Sequence, residues 1–191
     1  MKPSEITALE PSLPREAYWD AEFYGREQNA IFWSEWFYAG RAAGLESVGS
    51  YRVLDIAGES VIVMRTDEGL RAHLNFCRHR GSRLLCGDGQ VRGAIRCPYH
   101  GWAYALDGRL LATPFVPDEA VPEESRRLNP AGVDEWGGFL FVNCAGSNKA
   151  TLASQLGPIP ERLARYPLAE LEVARSLRYE VAANWKVLLE N

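Results

Sequence analysis

The stretch CRHRGSRLLCGDGQVRGAIRCPYHGW, residues 77–102, concentrates the metal-binding chemistry of a 191-residue chain. It contains two of the three histidines and three of the four cysteines. Cys77 and His79 form a Cys-x-His unit, and Cys97 and His100 form a Cys-x-x-His unit after a glycine-rich spacer. Thiolates and imidazoles are ligands for zinc and for iron. The stretch therefore predicts a metal centre built from two loops.

The order of the ligands bears on which metal they bind. A structural zinc site usually combines a Cys-x-x-Cys unit with a pair of histidines, and all four ligands meet one ion. Here each unit supplies one cysteine and one histidine. If the two loops face each other across a binuclear cluster, both cysteines can bind one iron and both histidines the other. That is the ligand set of a Rieske [2Fe-2S] centre, with a zinc site as the alternative.

The composition limits the classes of protein to which the chain can belong. A formal net charge of −4 gives no electrostatic reason to expect nucleic acid. The sequence has no apolar run of about 18 residues that would cross a membrane, and its start lacks the pattern of a secretory signal. We therefore expect a cytoplasmic protein that binds neither nucleic acid nor membrane. Cys86 and Cys144, which lie outside the ligand pattern, are expected to be buried free thiols.

Hydrophobic periodicity divides the chain into a helical start and a long β region. Asp20 is expected to cap a helix through AEFYGREQNAIFWSEWFYAG, residues 21–40, with an aromatic stripe that includes Phe23 and Phe32. Short alternating runs such as YRVLDIA, SVIVMRT and FLFVN then follow to about residue 143. Because Gly, Asp and Asn separate these runs, they predict many short antiparallel strands in a β sandwich or barrel.

The last part of the chain predicts helix again. TLASQLGPIPERLARY is a helical stretch interrupted by proline, and SLRYEVAANW is extended. The final residues, KVLLEN, have the pattern of the first turn of an amphipathic helix.

The motifs CRHRG and CPYHGWAY resemble the Rieske signature of the large (α) subunits of Rieske non-haem iron oxygenases, the aromatic-ring-hydroxylating dioxygenase type. The similarity extends from SLPREAY to NWKVLLEN. It implies a mainly β fold, a Rieske-type antiparallel β sandwich or barrel, flanked by helical segments from an incomplete α+β catalytic domain. The implied divisions are a helical lead-in at 1–45, the Rieske domain at 46–146 and the start of the catalytic domain at 147–191.

The resemblance also implies a cofactor. Cys77, His79, Cys97 and His100 are expected to bind a Rieske [2Fe-2S] cluster, while a mononuclear Fe(II) is expected only in a C-terminal part beyond these residues. We therefore expect no catalytic residue within the chain. Tyr99 is expected to donate its hydroxyl to cluster sulfur, with packing roles for Trp102 and Tyr104.

Further residues are expected to play secondary roles. Gly81 and Gly101 are expected to permit the tight turns of the two ligand loops. His73, which has no cysteine partner, is expected to be an ordinary surface or satisfied histidine, and Asn191 matches a supporting position near the mononuclear iron. Arg78, Arg80 and Arg83 form either a docking rim for an acidic electron donor or neighbouring subunit, or a merely solvated rim.

The function implied by the resemblance is oxidation of a small organic substrate, an aromatic ring or a quaternary amine, with O2 and electrons from NAD(P)H. The electrons arrive through a reductase or a ferredoxin, and the family forms homotrimers or α3β3 assemblies. Ser82 and Tyr99 stand where respiratory Rieske proteins carry two further cysteines, which disfavours that branch. A stand-alone Rieske-type ferredoxin and a zinc-stabilised binding module are the alternatives.

Overall fold

The computed structural model describes residues 11–146 and 150–190, so Asn191 lies outside it. The helices are α1 (Glu16–Trp19), α2 (Ala21–Glu27), α3 (Leu152–Leu156), α4 (Ile159–Leu163) and α5 (Trp185–Leu189), with a π-helical turn at Gln28–Phe32. The strands are β1 (Phe37–Arg41), β2 (Ser50–Ile56), β3 (Glu59–Thr66), β4 (Gly69–Leu74), β5 (Asp88–Gln90), β6 (Ile95–Arg96), β7 (Ala103–Tyr104), β8 (Leu110–Ala112), β9 (Pro130–Trp136) and β10 (Phe139–Asn143). None of the described helices is long and apolar enough to cross a membrane.

The strands form an antiparallel sheet of seven, in the order β1-β10-β9-β4-β3-β2-β5, and a small sheet of three, β6-β7-β8. The large sheet curls into a half-barrel. The prediction of a mainly β, antiparallel fold is therefore confirmed. Helices flank the sheets at both ends of the described chain.

Strand β3 is buried on both faces. Val61, Ile62, Val63 and Met64 are each 0% exposed. Because successive side chains of a strand point to opposite faces, Ile62 and Met64 enter one core and Val61 and Val63 another. The ligand-side core consists of Ile62, Met64, Cys77, Leu84, Ile95, Cys97, Trp102, Tyr104, Val121 and Leu128. The distal core consists of Ala39, Leu45, Val61, Val63, Ala72, Leu74, Leu140, Val142 and Cys144.

The N-terminal helix begins as predicted but ends early. Asp20 caps α2, because its side chain accepts a hydrogen bond from the backbone N–H of Phe23 at 2.8 Å. The prediction that this helix continues to Gly40 is wrong, since Phe37–Arg41 is β1 and pairs with β10. Aromatic residues favour a strand there, and Gly40, with φ +100°, lies at an irregularity in the strand pairing.

The C-terminal segments agree with the sequence in part. Thr151 caps α3 by accepting a hydrogen bond from the backbone N–H of Ser154. The proline interruption is confirmed, because Gly157 and Pro158 separate α3 from α4. Residues 176–184 of the predicted extended stretch SLRYEVAANW join no sheet within the described residues, and its last residue, Trp185, already begins α5.

A buried ion pair joins α5 to α2. The ammonium of Lys186 lies 2.7 and 2.8 Å from the two carboxylate oxygens of Glu27, and both side chains are more than nine-tenths buried. The indole N–H of Trp185 also donates to Glu27, at 3.3 Å. The rings of Tyr18, Phe23 and Trp185 lie within 6 Å of the ammonium, at distances suited to cation–π attraction. We call this group the terminal clasp.

The expectations for the cysteines outside the ligand pattern are half right. Cys144 is 2% exposed, and burial raises the pKa of its thiol to about 11. The prediction that Cys86 is buried is wrong: it is an exposed free thiol. Cys86 immediately precedes the turn into β5, a short edge strand whose residues are all exposed.

His73 is buried rather than at the surface. It is 3% exposed, its Nε2 lies 3.0 Å from the carbonyl oxygen of Leu106, and burial lowers its pKa. Its Nδ1 has no hydrogen-bond partner within the described residues. Gly108 permits this packing, because a Cβ there would lie 2.7 Å from the imidazole ring.

Lys186→Met is expected to lower the free energy of unfolding by about 3–5 kcal/mol, because it leaves the Glu27 carboxylate buried without a counter-charge. Urea unfolding followed by circular dichroism measures the change. In the double variant Glu27→Leu/Lys186→Met, most of the stability should return, since no buried charge remains. Glu190→Gln, which alters an exposed contact with Tyr18, is the matched control and should change little. A double variant as unstable as Lys186→Met would contradict the ionic account.

Candidate metal centre

The two predicted ligand units lie on two turns of the same conformation. In the first turn, the N–H of Gly81 donates to the carbonyl of Cys77, and the N–H of Cys77 donates to the carbonyl of Ser82. In the second turn, Gly101 donates to Cys97 in the same way, and Cys97 donates to the carbonyl five residues further on. The stretch of residues 77–102 therefore presents one loop design twice.

Glycine is required at the fourth position after each cysteine. Gly81 has φ +69° and Gly101 has φ +74°, a left-handed conformation that glycine adopts without steric cost. The predicted role of both glycines in tight ligand turns is confirmed. Strand pairing β6-β7 holds the second turn, since Cys97 directly follows β6 and β7 begins at Ala103.

The structure brings the four predicted ligands together and groups them by type. The thiols of Cys77 and Cys97 lie close enough for each to shift the pKa of the other, and these residues are 1% and 4% exposed. The imidazole rings of His79 and His100 lie edge to face, with centroids 4.8 Å apart. Within residues 11–146 and 150–190, no three His, Cys, Asp or Glu side chains are grouped to hold a single ion.

Hydrogen bonds and burial act differently on the two thiols. Burial raises the pKa of Cys77, although the hydroxyl of Tyr104 and a backbone N–H act against it. Burial also opposes ionisation of Cys97, but the backbone N–H groups of Tyr99 and His100 and two side chains hold the pKa of Cys97 below its ordinary value. Donors aimed at sulfur are what a thiolate bound to metal requires.

The two imidazoles are placed to act as metal ligands. Burial, followed by the neighbouring charge of His100, lowers the pKa of His79. The Nδ1 of His100 is buried and has no hydrogen-bond partner within the described residues. A buried ring nitrogen without a partner is costly, and coordination to a metal would satisfy it. Two paired sulfurs, two paired imidazoles and donors to sulfur fit a Rieske [2Fe-2S] cluster.

The packing role predicted for Tyr104 is confirmed, and this residue, rather than Tyr99, also places its hydroxyl at a ligand sulfur. Tyr104 is 0% exposed, its hydroxyl lies 3.3 Å from the Sγ of Cys77, and that hydroxyl accepts a hydrogen bond from the backbone N–H of Arg78. Tyr99 is 61% exposed and stacks on His100 with ring centroids 3.8 Å apart. Alternation through β7 was the available signal, because it places Tyr104 on the same buried face as Trp102. The prediction that Trp102 packs under the site is confirmed.

Asn75 supports the first ligand turn and was not predicted. It is 2% exposed, and its side-chain oxygen accepts hydrogen bonds from the backbone N–H groups of Leu84 and Leu85. Its amide nitrogen donates to Ser60 and to the carbonyl of Leu85. These side-chain hydrogen bonds join Asn75 to Ser60 of β3 and to Leu84 and Leu85, which follow the first ligand turn. Because they depend on tertiary contacts, the periodicity of the sequence does not predict them.

The arginines near the site do not act as one positive rim. Arg83 forms an ion pair with Asp55 at 2.8 Å, and Arg78 donates to the carbonyl of Glu124. Arg80 is exposed and has no ion pair among the described residues. Of the three arginines only Arg83 therefore has an ion pair among the described residues, and Arg80 is the exposed one of the other two.

Comparison with known proteins gives a consistent picture. Residues 35–125 match the Rieske [2Fe-2S] domain. The chain is 34% identical over 184 residues to the carnitine monooxygenase oxygenase subunit of Acinetobacter baumannii, covering 94% of this chain and 49% of that protein. It is 36% identical over 184 residues to the glycine betaine monooxygenase oxygenase subunit of Chromohalobacter salexigens, covering 94% and 40%.

A solved structure shows the same relationship. The crystal structure of the quaternary ammonium Rieske monooxygenase CntA with its substrate L-carnitine superposes with a TM-score of 0.84 and 31% identity. The match covers 93% of this chain and 51% of that chain. This chain thus spans about half the length of the carnitine monooxygenase relative, and less of the glycine betaine one.

Tyr104→Phe is expected to lower the reduction potential of a cluster at this site by about 40 mV, the one-electron equivalent of a hydrogen bond worth about 1 kcal/mol. The hydroxyl stabilises the more negative, reduced state by donating to sulfur. Redox titration followed by circular dichroism measures the change. The control is Tyr51→Phe, which removes a hydroxyl bonded to the carbonyl of Cys86. Equal potentials for both variants would contradict the role of Tyr104.

Proposed function

We propose that this chain, whose residues 35–125 match the Rieske [2Fe-2S] domain, is the electron-transfer part of a Rieske oxygenase. In this proposal Cys77 and Cys97 bind one iron and His79 and His100 bind the other. The supporting observation is the grouping of the four side chains by type, thiol with thiol and imidazole with imidazole. Such grouping is the ligand arrangement of a Rieske centre.

A [2Fe-2S] cluster held by Cys77, Cys97, His79 and His100 would supply single-electron transfer, and the residues around the site would set its reduction potential. Two neutral imidazoles in place of two thiolates leave the site with two fewer negative charges, which raises its reduction potential. The turn N–H groups and the Tyr104 hydroxyl donate to the sulfurs and favour the reduced state further. The ligand-side core excludes water from the sulfurs, while the half-buried imidazoles face the outside of the protein.

We propose three divisions of the chain: a helical lead-in at 1–45, the Rieske domain at 46–146 and the start of a catalytic domain at 147–191. The terminal clasp supports this division, because it joins α2 of the lead-in to α5 of the last part. The relatives are about twice as long, so we place the mononuclear Fe(II) and the catalytic residues in a part of the protein beyond these residues.

Partners and substrate follow from the same proposal. A reductase or ferredoxin would deliver electrons from NAD(P)H, and the whole protein would assemble as a homotrimer or an α3β3 complex. The relatives act on carnitine and glycine betaine, which favours a quaternary amine over an aromatic ring. Four free cysteines suit a reducing compartment, the cytoplasm.

Two other functions are less well supported. A stand-alone ferredoxin needs only the β module, and the terminal clasp and its helices would then have no purpose. A zinc-stabilised binding module needs four ligands around one ion, whereas here the thiols pair with each other and the imidazoles pair with each other.

The first test concerns the ligands. Wild-type protein prepared without oxygen is expected to contain two irons and two acid-labile sulfides per chain, as a [2Fe-2S] centre requires. Cys77→Ser should lose them, because serine does not replace the thiolate. The exposed Cys86→Ser is the matched control and should keep the full content. One zinc and no iron in the wild type would refute the proposal.

The second test concerns the substrate. If the natural reading frame continues past Asn191, the longer protein, supplied with NADH and a reductase, is expected to consume O2 in the presence of carnitine or glycine betaine. Naphthalene is the control and should not stimulate O2 uptake. Product analysis by mass spectrometry would confirm coupling, and oxidation of naphthalene alone would contradict the choice of substrate class.

A further inference from the structure

We propose that Trp102 is a positioning residue that fixes the plane of the His79 imidazole. The inference rests on the proposed function, because it takes His79 as a ligand of the cluster. The indole and imidazole rings are nearly parallel, with an interplanar angle of 4° and centroids 4.8 Å apart. This is the geometry of an offset stack, the favoured arrangement of two aromatic rings in face-to-face contact.

The two rings differ in how firmly the protein holds them. Trp102 is 3% exposed and belongs to the ligand-side core, so its ring is fixed by packing on many sides. His79 lies in the middle of the first ligand turn and is only half-buried. Among the described residues, its ring has no side-chain hydrogen bond. The ring contacts the edge of His100 and the face of Trp102, and of these two Trp102 is the one fixed in the core and parallel to the imidazole, so it restrains rotation about the Cβ–Cγ bond.

His100 provides an internal comparison. Its stacking partner is Tyr99, which is 61% exposed and tilted by 26° from the imidazole. The His79 imidazole thus stacks on the buried ring of Trp102, whereas the His100 imidazole stacks on the exposed ring of Tyr99. The two imidazoles meet edge to face, and Trp102 consequently restrains the pair from the buried side.

The plane of a histidine ligand matters because it sets the overlap of the ring nitrogen with the iron orbitals. The terminal torsion of histidine is intrinsically broad, so without the stack the ring would sample a range of planes. If the imidazole is held in one plane, its ligating nitrogen has a single coupling to the electron spin. If the imidazole samples a range of planes, the coupling takes a distribution of values. Pulsed electron paramagnetic resonance of the reduced protein measures this width directly.

The test compares Trp102→Phe with Trp102→Leu in the cluster-containing protein. Phenylalanine keeps an aromatic face and should keep the narrow coupling of His79. Leucine removes it and should widen the distribution of the His79 coupling, because the terminal torsion of histidine is broad when no neighbour restrains it. Tyr99→Ala is the matched control and should widen only the coupling of His100, which also assigns the two signals.

The outcomes separate this inference from the proposed function. Wild-type protein without iron would refute the proposed function. A cluster whose couplings are the same in Trp102→Leu as in the wild type would overturn only the role of Trp102. If Trp102→Leu fails to fold, the wild type decides: the inference requires a narrower coupling for His79 than for His100, and equal widths would overturn it.

Discussion

Burial of β3 on both faces is the constraint on which the rest of the structure depends. The four residues Val61–Met64 admit no solvent, and each such side chain contributes about 1.5–3 kcal/mol by burial. Their alternation creates two cores that share one strand. The ligand-side core supports the two ligand turns, and the distal core supports β1, β10 and Trp33, which follows the π-helical turn. A slip of one residue in β3 would exchange the two sets of side chains.

The candidate centre needs both the turns and the core beneath them. A turn with glycine at its fourth position can point one thiol and one imidazole in a chosen direction, but it leaves the side chains free to rotate. Tyr104 and Trp102 supply what the turns lack, because the first bonds to a ligand sulfur and the second stacks on a ligand ring. Both stand on the same face of the chain leading into β7, so a single strand serves both halves of the site.

The sequence alone predicted those features that depend on local spacing. The Cys-x-His and Cys-x-x-His units, the glycines at matching positions and the Asp20 cap are of this kind, and so is the β character of the middle region. Features that depend on tertiary neighbours were missed. Tyr99 is adjacent in sequence to the ligand His100 and was therefore expected to reach the cluster sulfur. The hydroxyl that contacts the Sγ of Cys77 instead belongs to Tyr104, 27 residues away. The segment at β1 has helical spacing, but pairing with β10, some hundred residues later, overrides it.

The terminal clasp also could not be predicted from local spacing, because Glu27 and Lys186 are 159 residues apart in the sequence. It also shows how the fold separates its tasks. Trp33 packs against the distal core. The ring of its sequence neighbour Phe32 packs against Phe37 of β1 and against Trp185, which lies beside the clasp. The clasp is thus connected to the face of β3 opposite the ligand turns. Side chains that share no contacts act almost independently, so the fold can hold its two ends together without constraining the geometry of the metal centre.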